Sequence, residues 1–332
     1  MGSMPRSPRI EFAGAVYHVM CRGDHREAIF KGDEDRLLFL ETLGQVCERA
    51  GWRIHGYVLM PNHYHLLLET PSGGMVDGMR WFQTTYTARF NARHRLCGHL
   101  FQGRYKAIIM DSDEPGYFRT VSDYIHLNPV RARILKKAPL RLEDYPWSSY
   151  PAYIGKAKRP VWLEIRRVME SCGMARTRYR QYMQGRVQAV LGGSEVLAAE
   201  WKSIRRGWFL GGETFRDEML VRIGERMESR KRESYSGEAV KGHDLKRAEE
   251  LLQKGLQVLK VGQADIQIMK TTDERKRALT WLIRSSTQVS CEWICEQLGL
   301  GHRSNISRAV RALEAPDRKD DRLKTKMLQC KD

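Results

Sequence analysis

The 332-residue sequence predicts an α+β protein: a ferredoxin-like (split βαβ) antiparallel sheet, a helical extension, and an all-α C-terminal domain with a helix-turn-helix. Three observations predict it. Strand-like and amphipathic runs alternate over the first 112 residues in the order β-α-β-β-α-β. Beyond about residue 155 the strand-like runs give way to helical spacing. A charged, Gly- and Ser-bearing stretch, "RKRESYSGEAVKG" (230–242), without apolar period, then reads as a linker.

The elements follow in order. "AVYHVMCRG" (15–23) is β-branched and aromatic, and ends on glycine. "DEDRLLFLETLGQVCERAG" (33–51) spaces Leu37, Leu40, Leu43 and Cys47 on one helical stripe, with an acidic start and a Gly stop. "WRIHGYVLM" (52–60) and "HYHLLLE" (63–69) are strands around a Pro-Asn turn and form a hairpin. A long amphipathic helix is expected over 75–96, a fourth strand over 104–112 and a further helix at about 114–127, giving one sheet with helices on one face. The expected domains are 5–155, a helical extension over 156–229, the linker, a helical domain over 243–316 and a disordered basic tail over 317–332. The leading "MGSM" reads as a cloning remnant and is set aside.

Hydrophobic residues make up 42% of the chain, and no apolar run approaches the roughly 18 residues of a membrane span. No membrane partner is expected. Nor is there a signal-type apolar core at the N-terminus. Seven scattered cysteines without a C-x-x-C point to reduced thiols and a cytoplasmic location, which for a DNA-processing protein would be nucleoid-associated. The net charge is +17 and is not confined to a tail. Residues 1–150 carry 20 basic against 16 acidic side chains, 151–228 carry 15 against 9, and 229–332 carry 22 against 15. A basic excess in every part favours a long polyanion over a merely solvated surface.

Side chains on a strand alternate faces, so His63 and His65 project together and Tyr64 points opposite. Two neutral imidazoles side by side form a platform for Zn, Mn or a similar ion, but a third donor is needed. The plainer reading is a pair of histidines on a solvated strand face. In "SDYIHLNPVRAR" (122–133), Tyr124 and Asn128 lie four apart and share a helix face, offering a phenol and a hard amide oxygen to one small volume. Pro129 is expected to stop that helix, with Arg131 and Arg133 following as phosphate-holding cations. Tyr124 is otherwise a half-buried packing tyrosine. Arg22, Arg104, Lys106 and Trp81 are further basic or aromatic positions suited to single-stranded nucleic acid. His18, His55 and His126 receive no role, and His126 is set off the Tyr124 face.

"GYVLMPNHYHLLLE", followed by "FQGRYKAIIM", "YIHLNPVRA" and "YPWSSY", resembles the single-tyrosine HUH transposases, most closely the REP-associated tyrosine transposases. The likeness is strong over residues 8–155 and weaker to about 228. It implies that His63 and His65 bind Mg²⁺ or Mn²⁺ with Asn128 as third ligand or orienting group. It also implies that Tyr124 attacks single-stranded or hairpin DNA, at palindromic repeats with a short flanking tetranucleotide. Attack would give a 5′-phosphotyrosine and a free 3′-OH, a reversible exchange of phosphodiesters that suits strand transfer. The resemblance leaves monomer and homodimer equally open.

"STQVSCEWICEQLGLGHRSNISRAVRALE" (286–314) has a helix-turn-helix rhythm. Trp293, Ile294 and Leu298 would pack its first helix, and Ser304 would cap a second with Ile306, Val310 and Leu313 inward. Arg303, Asn305, Arg308 and Arg311 would face outward as base- or phosphate-contacting residues. The reading is thus a metal-dependent tyrosine transposase-like enzyme on DNA. A non-catalytic hairpin-binding regulator and a metal-dependent phosphohydrolase are the alternatives.

Overall fold

The computed structural model describes residues 9–135, 139–228, 238–287, 289–314 and 322–330. Arg9–Glu218 forms one compact unit, and the chain from Met219 onward belongs to another. In the first, four strands appear in the expected order: β1 (Ala15–Arg22), β2 (Arg53–Met60), β3 (His63–Thr70) and β4 (Lys106–Met110). Helix α1 (Asp33–Ala50) follows β1 and α2 (Met75–His94) follows β3. The strands pair antiparallel in the spatial order β2-β3-β1-β4, the arrangement a split βαβ sequence requires.

Tyr64 explains how the sheet is seated on its helices. Its ring is fully buried against Phe39 of α1 and Phe82 of α2, and Phe39 also meets Phe30 and Tyr86. Each such ring removes a large apolar surface from water, so the central residue of the H-x-H triplet is an anchor. Where α1 begins and α2 ends, Asp35 accepts from the backbone N–H groups of Lys31 and Gly32 and from His94 Nε2 at 2.8 Å.

The expectation of helices on one face alone is corrected. Helix α3 (Pro115–His126) covers the opposite face, its Phe118 ring meeting His55 and its Tyr124 ring meeting His18 and His65. Both faces of β2 and β3 are therefore buried almost throughout, as the continuous runs "YVLM" and "LLLE" permit. The chain turns at Leu127 and resumes as a single helical turn, α4 (Asn128–Arg131), with Arg131 N–H still reaching the Leu127 carbonyl. Pro129 thus breaks the helix without stopping it, because the first turn of a helix needs no N–H from proline. Helices α5 (Tyr150–Tyr153), α6 (Arg166–Cys172), α7 (Arg176–Leu191), α8 (Glu195–Arg206) and α9 (Glu213–Glu228) complete this part, and the division between units falls inside α9.

Between α8 and α9 lies a strand that the pattern did not announce, β5 (Phe209–Leu210), parallel to β4. At the other edge β2 is closed by isolated bridges from Ile54 to Leu163 and from Val58 to Ser148. Within α2, Gly78 is set by contact: a Cβ there would lie 2.2 Å from Trp52 Cζ2.

The second unit contains α10 (Glu238–Leu259), α11 (Gln263–Ile268), α12 (Glu274–Ser286), α13 (Cys291–Leu298), α14 (Ser304–Glu314) and α15 (Arg322–Leu328). The expected linker is helical from Glu238 on, and its earlier part lies outside the described residues, as do 317–321 and 331–332 of the expected tail. A disordered tail does not hold for residues 322–330, where α15 forms and Met327 and Cys330 are buried. Helix α12 is central, with Ala278, Leu279, Trp281, Leu282 and Ile283 in one core with Ile294, Leu298, Ile306 and Leu313. Lys276 is buried with its ammonium donating to the carbonyls of Gln267, Met269 and Gly299 at 3.1, 2.8 and 3.1 Å. Three acceptors satisfy all three of its protons, which makes burial of this charge tolerable. It fixes the turn after α13, where Gly299 has φ +58° and a Cβ would stand 2.2 Å from the Gln267 oxygen.

Two substitutions test this packing. Gly78→Ala drives a methyl into the Trp52 ring and is expected to destabilise by about 1–3 kcal/mol in urea unfolding. Lys276→Met strips a donor from three carbonyls, with an expected cost of about 2–4 kcal/mol. A change below about 0.5 kcal/mol in either would contradict the corresponding contact.

Candidate active site

The histidine pair is fixed from the hairpin turn outward. Asn62 donates its amide nitrogen to the Arg26 carbonyl at 3.0 Å, so its oxygen must face the other way, toward His63 Nδ1 at 2.7 Å. An amide oxygen only accepts. His63 therefore carries its proton on Nδ1 and presents a bare Nε2. One step along the same strand face, His65 is buried with its ring centroid 5.2 Å from that of His63. Burial, with Arg22 and Arg131 nearby, pushes His63 down to about 4. Burial, with His18, His63 and the two arginines, holds His65 well below the ordinary imidazole range. Both rings are neutral at pH 7, the form in which imidazole binds a metal.

Helix α3 brings Tyr124 across this pair. The buried Tyr124 ring lies 5.6 Å from the His65 ring and 5.5 Å from His18, both edge-on. Asn128 donates its amide nitrogen to the Tyr124 carbonyl at 2.8 Å. That bond fixes the amide plane and turns its oxygen away from the helix backbone. Arg131 stands with its guanidinium 4.6 Å from the Tyr124 ring centroid and 5.0 Å from that of Trp201. These groups line one cleft of about 420 Å³ with Arg22, Gln102, Arg104 and Lys106.

The structure thus brings His63, His65, Tyr124, Asn128, Arg22, Arg104, Lys106 and Arg131 together at one cleft. Arg133 is exposed and does not line it. Arg303, Asn305, Arg308 and Arg311 lie in the second unit. There Arg303, Arg308 and Arg311 are exposed. Asn305 is half-buried, donating to the Leu300 carbonyl at 2.8 Å and accepting from Arg308, which corrects its expected outward position. Ser304 is the first residue of α14, and its hydroxyl meets His302 Nδ1 at 2.9 Å.

Two neighbours escaped sequence reasoning. His18 Nε2 lies 3.0 Å from His65 Nδ1, and the rings stack at 5.1 Å. Trp201, from α8, packs its ring 5.7 Å from Tyr124. Once β1 is placed beside β3, Met20 pairs with His65 and His18 with Leu67, so His18 shares the site face. His55 and His126 are structural: His55 bridges Glu69 and the Glu164 carbonyl, and His126 meets Ser149 Oγ at 2.7 Å.

A divalent cation fits this donor set. Among the described residues no three His, Cys, Asp or Glu side chains are placed to hold one. The two imidazoles and the Asn128 oxygen would be the protein donors, leaving further positions to phosphate and water. Beside Tyr124, Asp123 is buried on the side of α7, receiving the Tyr182 hydroxyl with Arg186 Nε at 3.1 Å, and burial raises its carboxyl to about 7.

The buried imidazoles set an acid limit. Burial pushes His18 and His126 down to about 3, and His63 and His65 are lowered as above. The unfolded chain protonates its histidines near the ordinary value of about 6.5. It therefore binds more protons than the folded chain between about 6.5 and about 3, and stability falls as pH drops through that window. Asp123 has the opposite slope, between about 4 and about 7, but is one group against four. Urea midpoints are expected to fall steadily between pH 6.5 and 4, and a flat profile there would contradict the burial.

Comparison with known proteins adds three findings. Residues 12–128 match the model of the family described as "Transposase IS200 like". No curated protein matches. A solved structure of a REP-associated tyrosine transposase bound to a REP hairpin is similar at 18% identity and a TM-score of 0.39, over 48% of this chain and 92% of that one. The matched segment contains β1 to β4, the histidine pair, Tyr124 and Asn128. Over residues 12–128 this chain is similar to the IS200-like transposase family.

Proposed function

We propose that the protein cuts and rejoins single-stranded or hairpin DNA through Tyr124, with Mg²⁺ or Mn²⁺ held by His63, His65 and Asn128. The observation that carries this reading is the meeting of a strand-borne imidazole pair and a helix-borne phenol in one cleft ringed by Arg22, Arg104, Lys106 and Arg131. Phosphate enters such a ring by charge alone. When bound, the cation supplies Lewis acidity at the scissile phosphate.

In the proposed step Tyr124 gives up its phenol proton to solvent and its oxygen attacks phosphorus as the bond to the 3′ oxygen breaks. The 5′ end is left on tyrosine, and the departing 3′ oxygen takes a proton. The reverse attack by a 3′-OH restores a phosphodiester and frees the phenol. Arg131, over the Tyr124 ring, is placed to stabilise negative charge on the phenol oxygen or on the phosphate. Palindromic repeat hairpins are the proposed substrate, the motif resemblance being the support for that class. Arg133 is assigned to backbone phosphate beyond the cleft. In the second unit, the exposed Arg303, Arg308 and Arg311 around α14 support a separate duplex contact of the helix-turn-helix kind, with Asn305 holding the turn.

The test is a labelled hairpin with a single-stranded flank, incubated with Mn²⁺ and resolved under denaturing conditions. A covalent protein–DNA band is expected, absent in Tyr124→Phe, in His63→Ala with His65→Ala, and after chelation. Tyr124→Phe should still retard the hairpin in a native gel. Retardation by the wild type without any adduct would mean a binder, and cutting without an adduct a hydrolase.

A further inference from the structure

His18 is the titratable group nearest the proposed metal pair that the reading above leaves without work. It is buried, and its contacts are few and specific. Nε2 faces His65 Nδ1 at 3.0 Å, the ring stacks on His65, and its edge meets Tyr124. Its Nδ1 is buried and outside hydrogen-bond geometry with any described group. The backbone of Ile204 in α8 nevertheless lies against the ring and favours a proton on it.

A single proton occupies the line between the two rings, and its owner decides what His65 can do. If His18 donates from Nε2, neutral His65 must carry its own proton on Nε2 and has no lone pair left for a ligand. If His65 donates from Nδ1, its Nε2 is bare, and His18 carries its proton on Nδ1. Histidines that bind metals commonly hold their tautomer by donating from the other nitrogen to an acceptor behind them.

We propose that His18 is a positioning residue: it accepts the Nδ1 proton of His65 and so turns a bare Nε2 toward the cleft for a divalent cation. This rests on the metal reading of His63 and His65. It gives the pair matched supports, since Asn62 accepts from His63 Nδ1 as His18 accepts from His65 Nδ1. It also assigns α8 a part in the site beyond the segment that matches the family, through Trp201 against Tyr124.

Two measurements decide it. Long-range ¹H–¹⁵N NMR of the metal-free full-length protein reads each imidazole tautomer directly. His65 is expected with its proton on Nδ1, and a proton on Nε2 would overturn the proposal. The second is Mn²⁺ affinity by electron paramagnetic resonance without DNA. His18→Phe keeps a ring to stack but no acceptor, and is expected to bind Mn²⁺ about 10- to 100-fold more weakly. His18→Gln restores an acceptor and should recover most of the affinity. Mn²⁺ uptake unchanged in His18→Phe would overturn this proposal alone. A wild-type protein that takes up no Mn²⁺ would overturn the metal reading along with it.

Discussion

The site depends on the two-residue period of β3. A strand cannot turn His63 and His65 to one side without turning Tyr64 to the other, and Tyr64 is wedged among Phe39, Phe82 and Phe101. Slipping the register by one residue would carry a tyrosine out of an aromatic core and bury two imidazoles in its place. The pair is therefore displayed with the rigidity of the hydrophobic core, and what is held on its two sides is equally determined. The turn holds His63 through Asn62, and the neighbouring strand meets His65 with His18.

Much of this was legible. The four strands and two helices follow from alternation, helical spacing and the Gly and Pro-Asn punctuation. The convergence of Tyr124 and Asn128 on the histidines follows from their four-residue spacing and the family likeness. What escaped was set by contacts between distant segments. The register of β1 against β3 places His18 beside His65, and nothing within "AVYHVMCRG" states that register. Trp201 comes from a helix far down the chain, where its indole looks like any core residue. The covering of the second sheet face was signalled, since "YVLM" and "LLLE" are apolar on both sides of the strand, but a pattern of six elements suggests a one-sided sheet first.

Charge is arranged differently in the two units. Around the cleft the cations come from β1, β4, the loop before β4 and α4, so distant stretches each contribute one or two. In the second unit Arg303, Arg308 and Arg311 lie close together in sequence around α14, while Arg222, Arg275, Arg284 and Arg322 are exposed on other helices. Part of the diffuse basic excess along the sequence is thus gathered into one concave collection, and part lies spread over the second unit. Lys276 belongs to neither, because its charge is consumed inside by three carbonyls.

The short strand β5 matters beyond its two residues. It occupies the outer backbone of β4 at Ile109 and Met110, and the bridges from Leu163 and Ser148 occupy that of β2. An uncovered sheet margin is a template onto which a second chain can dock strand to strand. Here the margin left open on β4 is brief and carries the charge of Lys106. Two copies of this unit consequently have little sheet backbone left through which to pair strand to strand.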